Sequence, residues 1–199
     1  MLKKYLCLMS LFKKHRSNIV FGGVVVLLFA FFFSPLWDNL YTYLISLNLE
    51  APNIEENLRS DENIYFDKTW TIYKTDETSS SIQDFDKPIF INFFATWCAP
   101  CKSEFPSIIK LHDQFKNKVE FIIVSPDEDL SIIKKYEEYY EFPLPFYNSN
   151  RILPLNVAVN SYPSTYIIDK NKKVLLTIQG AHDWSSKNVK DFLNKLSEE

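Results

Sequence analysis

The chain has 199 residues, 46% of them hydrophobic and 24% charged, with a formal net charge of −3. That balance suits one globular domain plus an appendage and excludes a disordered polyelectrolyte. Beyond Ala51 there remain 17 basic and 23 acidic residues, a charge near −6 that argues against nucleic acid as a partner.

Ile19–Trp37 carries no charge over 19 residues, close to the roughly 20 needed to cross a hydrocarbon core. Lys3, Lys4, Lys13, Lys14 and Arg16 precede it, and no Lys or Arg follows until Arg59. The positive-inside rule then predicts a cytoplasmic segment over 1–18, a single transmembrane helix over 19–37 and everything later outside the cytoplasm. No small-x-small cleavage site closely follows the apolar core, so an uncleaved signal anchor is the expectation, with Trp37, Tyr41 and Tyr43 as interfacial aromatics.

Residues 38–63 read as a juxtamembrane helix, Leu36–Leu49, followed by the acidic, polar tether Ala51–Asn63. The remaining 64–199 form the globular part. Ile64–Tyr73 reads as a strand paired near Ser81–Phe85, and Pro88–Phe94 as a central strand buried on both faces. Cys98–Lys116 is predicted helical with Pro106 inside it. Val119–Val124 is a strand, Leu130–Tyr140 a helix, and Thr165–Ile168 and Val174–Ile178 strands around a turn at Asp169–Lys172. Ser185–Leu196 closes the chain as an amphipathic helix capped by Ser185 or Ser186. This order gives an α/β fold, with a mixed central sheet flanked by helices.

The chemistry lies in Trp97-Cys98-Ala99-Pro100-Cys101, directly after the buried strand. A Cys at a helix start faces unpaired N–H groups and the positive dipole end, which stabilise its thiolate. A second Cys one turn on can resolve a mixed disulfide. The same spacing also serves half of a zinc site, but zinc needs two more ligands. The only other cysteine, Cys7, lies before the apolar segment. With one exported pair and no further cysteines to staple the fold, Cys98 and Cys101 are read as chemical groups. Pro100 fixes the turn between them at a position where no N–H is needed.

Three stretches, Asn92-Phe93-Phe94-Ala95-Thr96-Trp97-Cys98-Ala99-Pro100-Cys101, Lys102-Ser103-Glu104-Phe105-Pro106 and Ser161-Tyr162-Pro163-Ser164-Thr165-Tyr166-Ile167-Ile168-Asp169, stand beside the single-span anchor. Together these four features resemble the membrane-anchored, exported TlpA/ResA-like thiol–disulfide oxidoreductases of the thioredoxin superfamily, over roughly Ile64–Leu196. The resemblance implies a thioredoxin-like fold with an extra element around Lys134–Val159. Cys98 is then the nucleophile, Cys101 the resolving thiol, and Pro163 a cis-proline. Trp97 covers the disulfide and shapes the docking face, and no cofactor is required.

It further implies disulfide-containing exported proteins as substrates, including apocytochrome c as one class, and a membrane thiol transporter as electron donor. Two positions depart from common patterns. Cytoplasmic thioredoxins carry a buried Asp where this chain has Asn92, which leaves proton handling to Glu104, three residues after Cys101. Tyr162 is bulkier than the usual residue before the proline and narrows substrate choice.

Two other functions compete for the same residues. A thiol peroxidase on a related fold shows Pro-x-x-x-Thr-x-x-Cys, whereas Thr96 here is only two before Cys98. A copper chaperone uses wider Cys spacing and a distant His. His182 is the candidate ligand, although a lone His after a strand is more often a surface residue.

Overall fold

The computed structural model describes residues 21–59, 63–127, 129–140, 143–149, 154, 157 and 159–198. The segment 1–18 and the first two residues of the expected anchor lie outside these, as do parts of the extra element sought at 134–159. The chain divides into two compact units, Met1–Tyr43 and Leu44–Glu199.

In the first unit, helix α1 (Phe21–Phe32) exposes large apolar side chains throughout, Phe21, Leu27 and Phe29 among them. Among the described residues no single helix is long and apolar enough to cross a membrane. Phe21–Phe32 and Leu36–Ser46 meet that test together, bent by 58°. The expected uninterrupted span Ile19–Trp37 is thus broken before helix α2 (Pro35–Ser46). The cause is local: the residue before a proline disfavours helical geometry. Ser34 turns the chain, its Oγ donating to Phe31 O at 2.6 Å while its own carbonyl accepts from Trp37 N at 3.1 Å.

The second unit is built on a seven-stranded sheet in the order β2-β1-β5-β4-β3-β6-β7. Its strands are β1 (Thr71–Lys74), β2 (Ser79–Ser81), β3 (Ile89–Phe93), β4 (Glu120–Ser125), β5 (Phe146–Asn148), β6 (Ser164–Ile168) and β7 (Val174–Gln179). The β3–β4 and β4–β5 pairs are parallel and the others antiparallel, so the sheet is mixed as expected. Because side chains alternate across a strand, β3 sends Ile89, Ile91 and Phe93 into a core with Trp70, Ile122 and Tyr166. It sends Phe90, and Phe94 just beyond it, into a second core under helices α4 (Ala99–Phe115) and α6 (Lys187–Leu196). Asn92 falls on this second face. Helix α5 (Leu130–Tyr140) adds Ile133 and Tyr136 to the same core.

Two expectations change. The strand sought over Ile64–Tyr73 begins only at Thr71; its earlier part instead lies along β7, with Val174 N donating to Ile64 O at 2.8 Å and Tyr65 bridging Lys173. The tether over Ala51–Asn63 is likewise tied down where it is described. Helix α3 (Ile54–Asn57) is capped by Asn53, Asp183 N donates to Glu50 O at 2.9 Å, and Arg59 N donates to Leu175 O at 2.8 Å. Asn188 Nδ2 donates to Pro52 O at 2.7 Å. Residues 50–59 and 63–66 therefore act as a strap, and its Leu58, Arg59, Ile64, Tyr65 and Phe66 satisfy the outer edge of β7 and the turn before it.

Candidate active site

Cys98 ends the turn after β3 and caps α4, with Pro100 in the helix's first turn. Cys98 and Cys101 form a disulfide, Cα atoms 5.3 Å apart. The Cys101 N–H points at Cys98 Sγ at 3.2 Å. In the reduced protein that sulfur is the thiol or thiolate, and the same N–H stabilises its charged form. Cys101 is fully buried and Cys98 is 5% exposed, so Cys98 is the outer sulfur.

Trp97 is 72% exposed and meets the Tyr162 ring edge-on at 6.2 Å. The Tyr162–Pro163 peptide is cis. Pro163 O accepts from Gly180 N at 2.9 Å, and Gly180 holds φ +88°, where a side chain is strained. Burial, then the charge of Asp127, raises the Tyr162 hydroxyl above its ordinary pKa.

One turn beyond Cys101, Glu104 is wholly buried. Its Oε1 accepts from Asn92 Nδ2 at 2.8 Å, and its Oε2 accepts from Trp184 Nε1 at 2.8 Å and from His182 N at 3.2 Å. Burial pushes its pKa up to about 7 although all three donors favour the charged form. A group poised there can exchange a proton with a thiol near neutral pH. Asn92 also donates to Thr165 Oγ1 at 2.9 Å, its register partner on β6.

Sequence reasoning missed three contributors. Trp184, fully buried against Phe90, donates to Glu104, and Ser107 Oγ receives its N–H at 3.0 Å. An indole in an otherwise polar loop was the available signal, since a buried Trp seeks a partner for its N–H. Asp127, after β4, accepts from Thr96 N at 2.9 Å and Ser125 Oγ at 2.7 Å, and so fixes the loop that carries Trp97. Thr165, two residues after the cis-proline, accepts from Asn92 behind Glu104. His182, read as a surface residue, is half-buried and binds Glu104 through its backbone, with its ring Nδ1 buried and unpartnered.

Residues 50–176 match the AhpC/TSA family. The chain is 31% identical over 120 residues to thiol-disulfide oxidoreductase ResA of Bacillus thuringiensis subsp. konkukian, covering 58% of this chain and 68% of that one. It is 29% identical over 140 residues to ResA of Oceanobacillus iheyensis, covering 64% and 72%. Its fold is shared by a thioredoxin-family thiol:disulfide interchange protein of Chlorobium tepidum, with TM-score 0.54, 22% identity, and 69% and 99% of the two chains covered. The exposed lipoprotein thioredoxin of Streptococcus pneumoniae also shares it, with TM-score 0.54, 20% identity, and 63% and 98% covered. The family match takes in the Cys98–Cys101 helix start and most of the sheet. The chain therefore belongs to the AhpC/TSA family and is a ResA-like thiol–disulfide oxidoreductase of the thioredoxin superfamily.

Proposed function

We propose that this oxidoreductase works as a reductant of disulfides in exported proteins, tethered to the outer face of the cytoplasmic membrane. The Cys98 thiolate attacks a client disulfide; one client sulfur leaves as thiolate and takes a proton, and the other is held in a mixed disulfide. Cys101 then gives its proton to the Glu104 carboxylate and attacks Cys98 Sγ, which closes the Cys98–Cys101 disulfide and releases the second client sulfur as a thiolate; Glu104 returns the proton to it, and the first client thiolate takes its proton from water. Two electrons and two protons pass to the client. A membrane thiol transporter restores the dithiol, and apocytochrome c is one client class. Trp97 and Tyr162 form the docking face beside Pro163.

The single observation that carries the reading is the Cys98 cap paired with a buried carboxylate one turn beyond Cys101, titrating near neutrality. Ala-Pro places no His between the cysteines to stabilise a thiolate strongly, which favours reduction over oxidation. The exposed apolar surface of α1 supports membrane attachment. On this reading 1–18 lies in the cytoplasm, 19–37 anchors the chain, 38–63 connects it, and 64–199 is the catalytic domain.

The test is the reduction potential of the Cys98–Cys101 couple, measured by equilibrating the whole chain in detergent with defined thiol buffers. A value near or below about −250 mV supports a reductant, whereas one near about −120 mV makes the protein a disulfide donor.

A further inference from the structure

Asn92 is the one polar side chain that β3 places among aromatic residues on its α4 face, and it is fully buried. Both hydrogens of its amide are used, one by Glu104 Oε1 and one by Thr165 Oγ1. Its Oδ1 is buried with no hydrogen-bond partner. A buried carbonyl oxygen without a donor is uncommon and unfavourable, so the position invites an explanation.

The geometry points to Asn92 and Thr165 as a polarity-reversing relay, in which the Asn92 amide turns over by a half-rotation whenever Glu104 gains or loses its proton. Glu104 Oε2 already faces two fixed donors, Trp184 Nε1 and the His182 backbone N–H. Oε1 faces only Asn92, so the proton is accepted there. With the amide as it stands, a hydrogen on Oε1 would meet a hydrogen on Nδ2.

A half-turn about the terminal amide torsion, which is soft and roughly two-fold, puts Oδ1 in the place of Nδ2. It then accepts from Glu104 Oε1–H and from the Thr165 hydroxyl, which turns with it. Two hydrogen bonds hold the junction in either state. Asn92 and Thr165 face each other in register on adjacent strands, so no backbone need move. The relay makes both of them positioning residues: they touch neither sulfur nor client, but let a buried carboxyl change charge without losing a partner. Asp at position 92 would set a second carboxylate against the first, and Leu would leave the charged form one donor short.

The titratable groups on the surrounding elements are Cys98 and Cys101 on α4, and His182 and Asp183 on the loop after β7; β3 and β6 present only the neutral Asn92 and Thr165. The inference rests on Glu104 exchanging a proton, as in the proposed cycle, but its test uses the oxidised protein, in which neither Cys titrates. The whole chain in detergent, with Glu carboxyl carbons labelled by 13C and Asn side chains by 15N, is titrated from pH 4.5 to 9 by NMR.

The Asn92 amide signals should move with the same midpoint as the Glu104 carboxyl. Asn92→Leu should raise that midpoint by about one to two pH units, because a donor to the charged form is lost. Asn92 signals that stay fixed while Glu104 titrates overturn the relay, even if the variant fails to fold. An unchanged or lowered midpoint in Asn92→Leu overturns it as well. If the relay signals appear but the reduced protein's exchange rate ignores that midpoint, the relay stands and the proton role given to Glu104 in turnover falls.

Discussion

Glu104 ties the stability of the oxidised protein to pH, in a direction opposite to that of most carboxylates. Its ordinary value is 4.5 and burial raises it to about 7 in the folded chain. Between those two values the unfolded chain has released the proton while the folded chain still holds it. Stability therefore falls as pH rises through this window: the contribution is fully present below about pH 4.5 and gone above about pH 7. A shift of that size corresponds to about 3 kcal/mol, at 1.36 kcal/mol per pH unit.

Glu104→Gln removes the ionisation but keeps an oxygen for Trp184 and His182. His112 works the other way, because burial lowers its pKa and makes stability rise with pH below its ordinary 6.5. It is common to both proteins and cancels in their difference. Urea unfolding of the oxidised wild type and Glu104→Gln, at intervals from pH 4.5 to 8.5, gives that difference directly. The variant's stability relative to wild type should climb by about 3 kcal/mol across the series and level off above pH 7.5. Parallel curves would refute the reasoning and show that Glu104 titrates at an ordinary value.

Trp184→Phe removes one donor from the charged carboxylate, so the Glu104 midpoint should rise by about one pH unit, read from its 13C carboxyl signal. Deleting the strap, by starting the chain at residue 64 in place of residue 49, loses the bonds at Glu50, Pro52 and Arg59. Urea unfolding should show a loss on the order of 2–4 kcal/mol, at about 1 kcal/mol for each bond plus the burial of Pro52. Asp127→Ala should bring the Tyr162 hydroxyl part of the way back toward its ordinary pKa, since burial remains, as followed by phenolate absorbance. The same variant releases Thr96 N and should slow exchange with a disulfide peptide by loosening the loop that carries Trp97.

Elements that carry their own periodicity were legible in the sequence. The unbroken apolar run gave β3, and the run from Val119 gave β4; Leu130–Tyr140 matches α5 to the residue. The helix start at Cys98 was legible too, because a strand running into a Cys pair with Pro100 between its members permits few alternatives. Strand β5 was not, because three residues after Pro145 cannot display a pattern. Its place comes from β4 on one side and β1 on the other, and from Glu137 Oε1 accepting the Phe146 N–H at 3.2 Å. The strap was hidden for a similar reason: its backbone bonds reach residues more than 100 positions away, and its polar composition reads as a linker. The break in the apolar segment could have been read from Ser34-Pro35, which disfavours helix whatever the hydropathy around it.

Glu104 could be placed in the sequence but its environment could not, and that environment governs its chemistry. An i, i+3 spacing puts it on the same face of α4 as Cys101 without saying whether that face meets solvent. What encloses it comes from three separate parts of the chain: Asn92 from β3, with Thr165 behind it on β6, and His182 with Trp184 from the loop after β7. Where a cytoplasmic thioredoxin would set an acid on β3, this chain sets an amide there and moves the acid onto α4. The exchange lets the acid be held from two sides. One side is an amide that can reverse its polarity, and the other is an indole and a backbone N–H that cannot. A carboxyl gripped on one oxygen by fixed donors has only the other oxygen free to take a proton, so the proton's position is determined as well as its affinity. The loop that supplies the fixed donors is itself latched to α4 by Ser107 and to the strap at Glu50. Loosening the strap should therefore be felt at Glu104, and a chain lacking residues 50–59 should show a shifted carboxyl midpoint as well as lower stability. An unshifted midpoint in that shortened chain would mean that α4 alone holds the Trp184 loop in place.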